Sequence, residues 1–133
     1  MSFPSILVVD DDREDQLILE EYFADIGVSS QVKYLDNGET TISFLEGTAN
    51  ADELPKLIVL DLNMPVLNGT QTLIYLKRTV RYKNIPVIIF STSENDDEKR
   101  KCLSYGAVDY LVKPMTWDEG HAIAKKLASY IDN

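Results

Sequence analysis

The stretch LIVLD at residues 57–61 decides the fold, because four apolar residues run without interruption into an acid, Asp61. The chain repeats this arrangement three times, in ILVV before Asp10 and Asp11, in VIIF before Ser91 and in YLV before Lys113. Apolar runs of this length, bounded by turn residues and separated by segments of helical period, predict buried strands. Strands that are buried on both faces are typical of a parallel sheet.

Segments with helical start signals and periodicity lie between these runs. Asp12 can cap a first helix that runs to about Ile26 and is closed by Gly27. Residues 31–36 alternate polar and apolar side chains, which predicts a half-exposed edge strand. Residues 38–45 predict a short second helix.

A third helix is predicted after the Asn68–Gly69 turn. Leu73, Leu76 and Val80 recur there at helical spacing, so they form a stripe that we expect to face the core.

The last two predicted helices begin with the spacing of a capping box. Asn95 precedes Glu98 by three residues, and Thr116 precedes Glu119 by the same interval. Strands and helices therefore alternate along the chain, and right-handed crossovers predict a doubly wound parallel α/β sheet with five strands and five helices.

Length and composition restrict the class of protein. The 133 residues correspond to one domain over 1–133, and we expect no output domain. No apolar stretch approaches the ~20 residues of a membrane helix, and the N-terminus lacks the pattern of a signal peptide. A net charge of −9 argues against a nucleic-acid binder, and a single cysteine, Cys102, fits a reducing cytoplasm.

The polar groups at the strand ends indicate phosphoryl chemistry. In an open α/β sheet these ends meet at one edge, so three acids, a hydroxyl and an ammonium would share one site. Clustered carboxylates repel one another unless they hold a cation, and Mg²⁺ prefers such oxygen ligands. A carboxylate can also act as a nucleophile and form an aspartyl phosphate. Ser91 and Lys113 could then stabilise phosphoryl oxygens.

The motifs resemble those of the receiver domain of two-component response regulators, over about Ser5 to Ile131. They are VVDD at 8–11, LDLNMP at 60–65 with Asn68–Gly69, PVIIFS at 86–91 and YLVKP at 110–114. The resemblance implies the flavodoxin-like strand order 2-1-3-4-5. The chain is similar in particular to the small stand-alone receivers, including those paired with bacterial phytochromes, because of the run Ser91-Thr92-Ser93 and the extended loop before Pro55.

The resemblance assigns an acceptor and a metal site. It implies that Asp61 is phosphorylated by a histidine kinase or a phosphotransfer protein. Asp11 and Asp61 would bind Mg²⁺ directly, Asn63 would supply a backbone carbonyl, and Asp10 would act through a bound water.

The resemblance also implies a switch. Ser91 would move to meet the phosphoryl group, Tyr110 would be the aromatic switch residue, and Lys113 would pair with the phosphate through a cis bond to Pro114. Thr92 stands where the family usually has Ala or Gly, so we expect it to modulate the reaction. Neither this departure nor the third acid, Asp12, removes a required group.

Four functions remain to be weighed. The first is a phosphoacceptor that signals to a downstream protein and catalyses only its own phosphorylation and dephosphorylation; a homodimer is compatible with it. A haloacid-dehalogenase-type phosphatase would need an acid at Asn63, and a flavin phosphate would be repelled by Asp10, Asp11 and Asp12. A receiver-fold interaction module that works without phosphorylation is the remaining alternative, although no group of the site is missing.

Overall fold

The described residues form a central parallel sheet of five strands. The computed structural model describes residues 3–64 and 67–131. The strands are β1 (Ile6–Val9), β2 (Val32–Leu35), β3 (Leu57–Leu60), β4 (Val87–Ser91) and β5 (Asp109–Val112). The observed order, β2-β1-β3-β4-β5, confirms the predicted flavodoxin-like topology, with β2 at one edge.

In the part of the chain that the structure describes, five α-helices alternate with the strands, as predicted. They are α1 (Arg13–Asp25), α2 (Gly38–Glu46), α3 (Gly69–Arg78), α4 (Asp96–Ser104) and α5 (Trp117–Ala128), with short 3₁₀ helices at Ser29–Gln31 and Ala51–Glu53. Within the described residues, no helix combines the length and the apolar character needed to cross a bilayer.

The apolar strand sequences are explained by the two cores that sandwich the sheet. Leu7 and Val9 of β1 face the core formed with α2, α3 and α4, whereas Ile6 and Val8 face the core formed with α1 and α5. Because helices cover both faces, neither set of alternating side chains meets water.

The strand register brings the carboxyl ends together. Val9 of β1 pairs with Leu60 of β3, Leu60 pairs with Ile89 of β4, and Ile89 pairs with Tyr110 of β5. Strands β1 and β3 end at this row and β4 and β5 end two residues beyond it, so all four leave the sheet at the same edge.

Two helix boundaries follow the predicted local chemistry. The Asp12 carboxylate accepts hydrogen bonds from the backbone amides of Glu14 and Asp15 at the start of α1, and Gly27 adopts a φ of +81° after its end. A positive φ favours glycine, since it has no Cβ to clash with the backbone.

The capping boxes are distributed differently from the prediction. Asn68, expected only as a turn residue, forms a complete box with Gln71. Asn95 accepts from the amide of Glu98, but the Glu98 carboxylate contacts the Tyr110 hydroxyl instead of closing the box. The Glu119 carboxylate likewise accepts from the amide of Met115, so the predicted box at Thr116 is also half formed.

The predicted inward position of Val80 is wrong. Helix α3 ends at Arg78, and Thr79 is extended, with φ −97° and ψ 119°, so Val80 leaves the helical stripe. Its side chain is 79% exposed, whereas Leu73 and Leu76 are fully buried. Tyr82, which is fully buried, continues this part of the core beyond the helix.

Because Leu76 is buried and Val80 is exposed, we expect truncation of these two side chains to change the free energy of unfolding by different amounts. Leu76→Ala should lower the free energy of unfolding by ~2–5 kcal/mol, because it leaves a cavity in the core. Val80→Ala should change it by less than ~0.5 kcal/mol. Urea denaturation of both variants measures the two values, and similar losses in both would contradict the observed end of α3.

Candidate functional site

The carboxyl edge of the sheet carries the residues predicted for the site. Asp10 follows β1, Asp61 follows β3, Ser91 ends β4 and Lys113 follows β5. Two backbone bonds hold these ends in place: the Asp61 amide donates to the Val9 carbonyl over 2.9 Å, and the Lys113 amide donates to the Ser91 carbonyl over 2.7 Å.

Three carboxylates form a compact acidic cluster. Asp10, Asp11 and Asp61 each place an oxygen within 4.8 Å of the others. Asp10 and Asp61 are buried and Asp11 is exposed, so the cluster opens to solvent on one side. Three hard oxygen donors at this spacing are of the kind that binds a divalent cation, as the sequence predicts.

The Lys113 ammonium compensates part of this negative charge. Its Nζ donates to Asp10 Oδ2 over 2.8 Å and to Asp15 Oδ2 over 2.7 Å, and it lies 3.8 Å from Asp61 Oδ1. Burial alone would lower the pKa of Lys113, but these carboxylates outweigh burial and raise it to about 12. The ammonium is therefore charged throughout the neutral range.

Burial raises the pKa of Asp61 to about 6, and the neighbouring charges of Asp10 and Asp11 add to the increase. Lys113 and a hydrogen bond from the Asn63 backbone amide oppose it. Burial also raises the pKa of Asp10, against the effect of its bond to Lys113. Without a bound cation, the negative charge of the site therefore lowers the stability of the folded protein.

Ser91, at the end of β4, and Tyr110, in the neighbouring strand β5, are both buried. Ser91 is fully buried, and its Oγ accepts from the Ser93 amide over 3.1 Å. The Tyr110 hydroxyl lies 2.6 Å from Glu98 Oε1 and 2.9 Å from the Ser93 carbonyl, and it donates its one proton to these acceptors. Burial and the adjacent Glu98 raise the pKa of Tyr110. The hydroxyl therefore connects β5 to α4 and to the loop that follows Ser91.

Two other predictions concern Thr92 and the bond to Pro114. Thr92 is exposed and lines a surface groove together with Asp15 and Lys113. The prediction of a cis Lys113–Pro114 bond is wrong, because that bond is not cis. The Lys113 ammonium reaches Asp10 and Asp15 from this backbone without it.

Three residues of the site were missed from the sequence. Asp15 binds Lys113; its position in the first turn of α1, shortly after the Asp10–Asp11 pair, is the signal that could have indicated it. The Gln16 amide donates to the Asp10 carbonyl over 2.6 Å. Gly69 brings α3 so close to β3 that a Cβ would lie 2.1 Å from the Asp61 carbonyl. The last two contacts depend on tertiary packing and have no local sequence signal.

The chain matches a known protein family. Residues 6–125 match the family model of the response regulator receiver domain, so the chain belongs to that family. The two-component response regulator ORR8 of Oryza sativa is 31% identical over 115 residues, which cover 86% of this chain and 90% of ORR8.

Two solved structures of response regulators are similar over nearly their whole length. RPA3017, from red light signalling of R. palustris, has a TM-score of 0.83 and 31% identity, with 98% of this chain and 95% of that chain covered. The phosphorylated cyanobacterial phytochrome response regulator RcpA has a TM-score of 0.82 and 27% identity, with coverage of 97% and 94%.

The protein is therefore a receiver domain of the two-component signalling class, in which phosphorylation on an aspartate is typical. All helices and strands of residues 3–64 and 67–131 belong to the receiver fold, so this part of the chain includes no DNA-binding domain.

The crowded charges predict that Asp61→Asn stabilises the metal-free protein. The folded-state pKa of Asp61, about 6, exceeds the ordinary value of 3.8 for an aspartate, so the ionised group opposes folding at neutral pH, and stability should rise as the pH falls towards 6 and below. The amide removes this cost, and the melting temperature in EDTA at pH 7.5 should rise by at least ~3 °C.

Asp52→Asn, which removes an exposed acid far from the sheet edge, is the matched control and should leave the melting temperature nearly unchanged. A lower melting temperature for Asp61→Asn than for the wild type would show that the ionised carboxylate is stabilised by its surroundings, which contradicts the prediction.

Proposed function

We propose that the protein accepts a phosphoryl group on the carboxylate of Asp61 and transmits this event to a downstream protein. The observation that carries the proposal is the position of Asp61: it follows the central strand β3, is buried among acids, and lies 3.8 Å from the Lys113 ammonium. A nucleophilic carboxylate next to a fixed cation is suited to receive a phosphoryl group.

The donor is a histidine kinase or a phosphotransfer protein. An oxygen of Asp61 attacks the phosphorus, the bond from phosphorus to the donor nitrogen breaks, and that nitrogen keeps the electron pair and takes up a proton. Lys113 pairs with one phosphoryl oxygen, and the Ser91 hydroxyl donates to another. Both groups stand at strand ends next to Asp61, which supports these roles.

The oxygen donors of the acidic cluster fit a resident Mg²⁺. Asp11, Asp61 and the backbone carbonyl of Asn63 would hold it directly, and Asp10 would hold it through a water. Bound Mg²⁺ would neutralise charge that develops on the phosphoryl oxygens.

The signal leaves the site through Ser91 and Tyr110. Reorientation of the Ser91 hydroxyl towards the phosphoryl group would release the Ser93 amide, which now donates to its Oγ. Because the Tyr110 hydroxyl contacts the Ser93 carbonyl and Glu98, that movement would be passed to α4. The surface around α4 and β5 would then differ between the two states.

The wider setting follows from the same role. We propose that the protein acts in the cytoplasm, that it does not bind DNA directly, and that its only chemistry is its own phosphorylation and dephosphorylation. A phytochrome-type kinase is the first donor to test, because RPA3017 acts in red light signalling and RcpA is a phytochrome response regulator. A homodimer is compatible with this role.

Labelling by a small phosphodonor tests the acceptor. With acetyl phosphate and Mg²⁺, intact mass should show one added phosphoryl group on the wild-type protein and none on Asp61→Asn, and EDTA should prevent labelling. Asp12→Asn is the matched control, because it removes an adjacent exposed acid while Asn can still cap α1.

Labelling of Asp61→Asn at the wild-type rate would place the acceptor elsewhere. Absence of labelling in every variant, including the wild type, would favour the interaction module that works without phosphorylation.

Thr92 should slow turnover of the phosphorylated protein. Its branched side chain lies in the groove beside Lys113, so we expect it to narrow the path of the water that attacks in line with the carboxylate oxygen. Thr92→Ala should speed the loss of label after donor removal by about threefold, which corresponds to less than ~1 kcal/mol of barrier.

Thr92→Val separates size from hydrogen bonding, because it keeps the branched shape without the hydroxyl. Steric narrowing predicts wild-type decay for Thr92→Val. Unchanged decay in Thr92→Ala would show that this residue does not control access.

A further inference from the structure

Asp15 shares the Lys113 ammonium with Asp10. The distance from Lys113 Nζ is 2.7 Å to Asp15 Oδ2 and 2.8 Å to Asp10 Oδ2, but 3.8 Å to Asp61 Oδ1. The ammonium thus makes its two hydrogen bonds to carboxylates other than the proposed acceptor. Asp10 leaves the end of β1, whereas Asp15 belongs to the first turn of α1.

The favourable interaction of an acid with the start of a helix does not by itself explain why the Asp15 carboxylate contacts Lys113. An acid in the first turn stabilises a helix, and Glu14 provides the same charge one residue earlier. Glu14 is exposed, whereas the Asp15 side chain is 31% exposed and contacts Lys113. Both acids therefore lie in the first turn of α1, but of the two Asp15 is the one that contacts Lys113.

We propose that Asp15 is a positioning residue that holds the Lys113 ammonium away from Asp61 and so slows phosphorylation. The inference rests on the proposed phosphoacceptor function and adds a residue that sets its rate. Two effects of the Asp15 carboxylate both lower the rate of phosphorylation.

The first effect is competition for the ammonium. An ammonium has three N–H donors, and two of them are engaged by Asp10 and Asp15. A phosphoryl oxygen must bind the remaining donor or displace a carboxylate. Asp10 is buried, so its charge depends on Lys113; Asp15 is more exposed, and water can solvate its carboxylate once the bond is broken.

The second effect is repulsion of the incoming donor. Asp15 adds a negative charge at the groove that it lines together with Thr92 and Lys113, next to a cluster that already contains three acids. Phosphodonors are anions, so the charge lowers their local concentration at the site, and the effect grows with donor charge.

Asp15→Asn removes the charge but keeps the size of the side chain and an oxygen that can accept from Lys113. With acetyl phosphate at low ionic strength, we expect the rate of phosphorylation to rise about fivefold. Phosphoramidate carries one negative charge fewer, so its gain should be smaller. Asp15→Glu, which restores the charge, should return the rate with acetyl phosphate towards that of the wild type.

Glu14→Gln is the matched control, because it makes the same charge change one residue away, on an exposed side chain that does not contact Lys113. The rate of labelling in Mg²⁺ is measured for all four proteins with both donors, by intact mass. Melting temperatures identify any variant that is not folded. If Asp15→Asn is not folded, Asp15→Ser is measured in its place.

A gain that is specific to Asp15→Asn, larger for acetyl phosphate and reversed by Asp15→Glu, supports the proposal. An equal gain with both donors still supports it, through release of the ammonium alone, whereas an unchanged or lower rate in folded Asp15→Asn, or an equal gain in Glu14→Gln, overturns it. Failure of the proposed function looks different, because the wild-type protein would then not be labelled by either donor.

Discussion

One partly buried ammonium, that of Lys113, makes the functional edge of the sheet compatible with folding. Asp10 and Asp61 are withdrawn from water at adjacent strand ends, and both carboxyls titrate above their usual range because burial opposes their charge. Lys113 lies within 4 Å of both and binds Asp15 as well. It therefore joins the ends of β1, β3 and β5 to the start of α1. Removing Lys113 would be strongly destabilising, since the buried carboxylates would be left without a compensating positive charge.

The parallel sheet places these charges next to one another. The paired positions Val9, Leu60, Ile89 and Tyr110 form a row across four strands, so the residues that follow emerge at one edge. Packing on both faces holds that row in position, because a shift of one residue would exchange the side chains of the two cores. The rigidity of the core is thus what gives the site its geometry, while the loops at the same edge, which carry Thr92 and Asn63, remain exposed to solvent.

Local sequence patterns were insufficient to predict the position of two side chains, Val80 and Glu98. Val80 continues the spacing of Leu73 and Leu76, yet α3 has already ended, because Thr79 leaves the helical conformation. Glu98 has the spacing to complete a capping box, but its carboxylate contacts the Tyr110 hydroxyl. In each case a contact or a chain direction set elsewhere in the molecule outweighs a local preference of about 1 kcal/mol or less.

The sequence by itself determined the strand and helix order, the two-sided burial of the strands and the convergence of Asp10, Asp61, Ser91 and Lys113 at one edge. These features depend on hydrophobic periodicity and on the general geometry of parallel sheets, which can be derived from local patterns. Only the tertiary structure decided which carboxylates share the Lys113 ammonium, how closely Gly69 brings α3 to Asp61, and how Tyr110 reaches Glu98. Those contacts join residues that are not neighbours in the sequence, and they depend on how the helices and side chains pack, which no local pattern encodes.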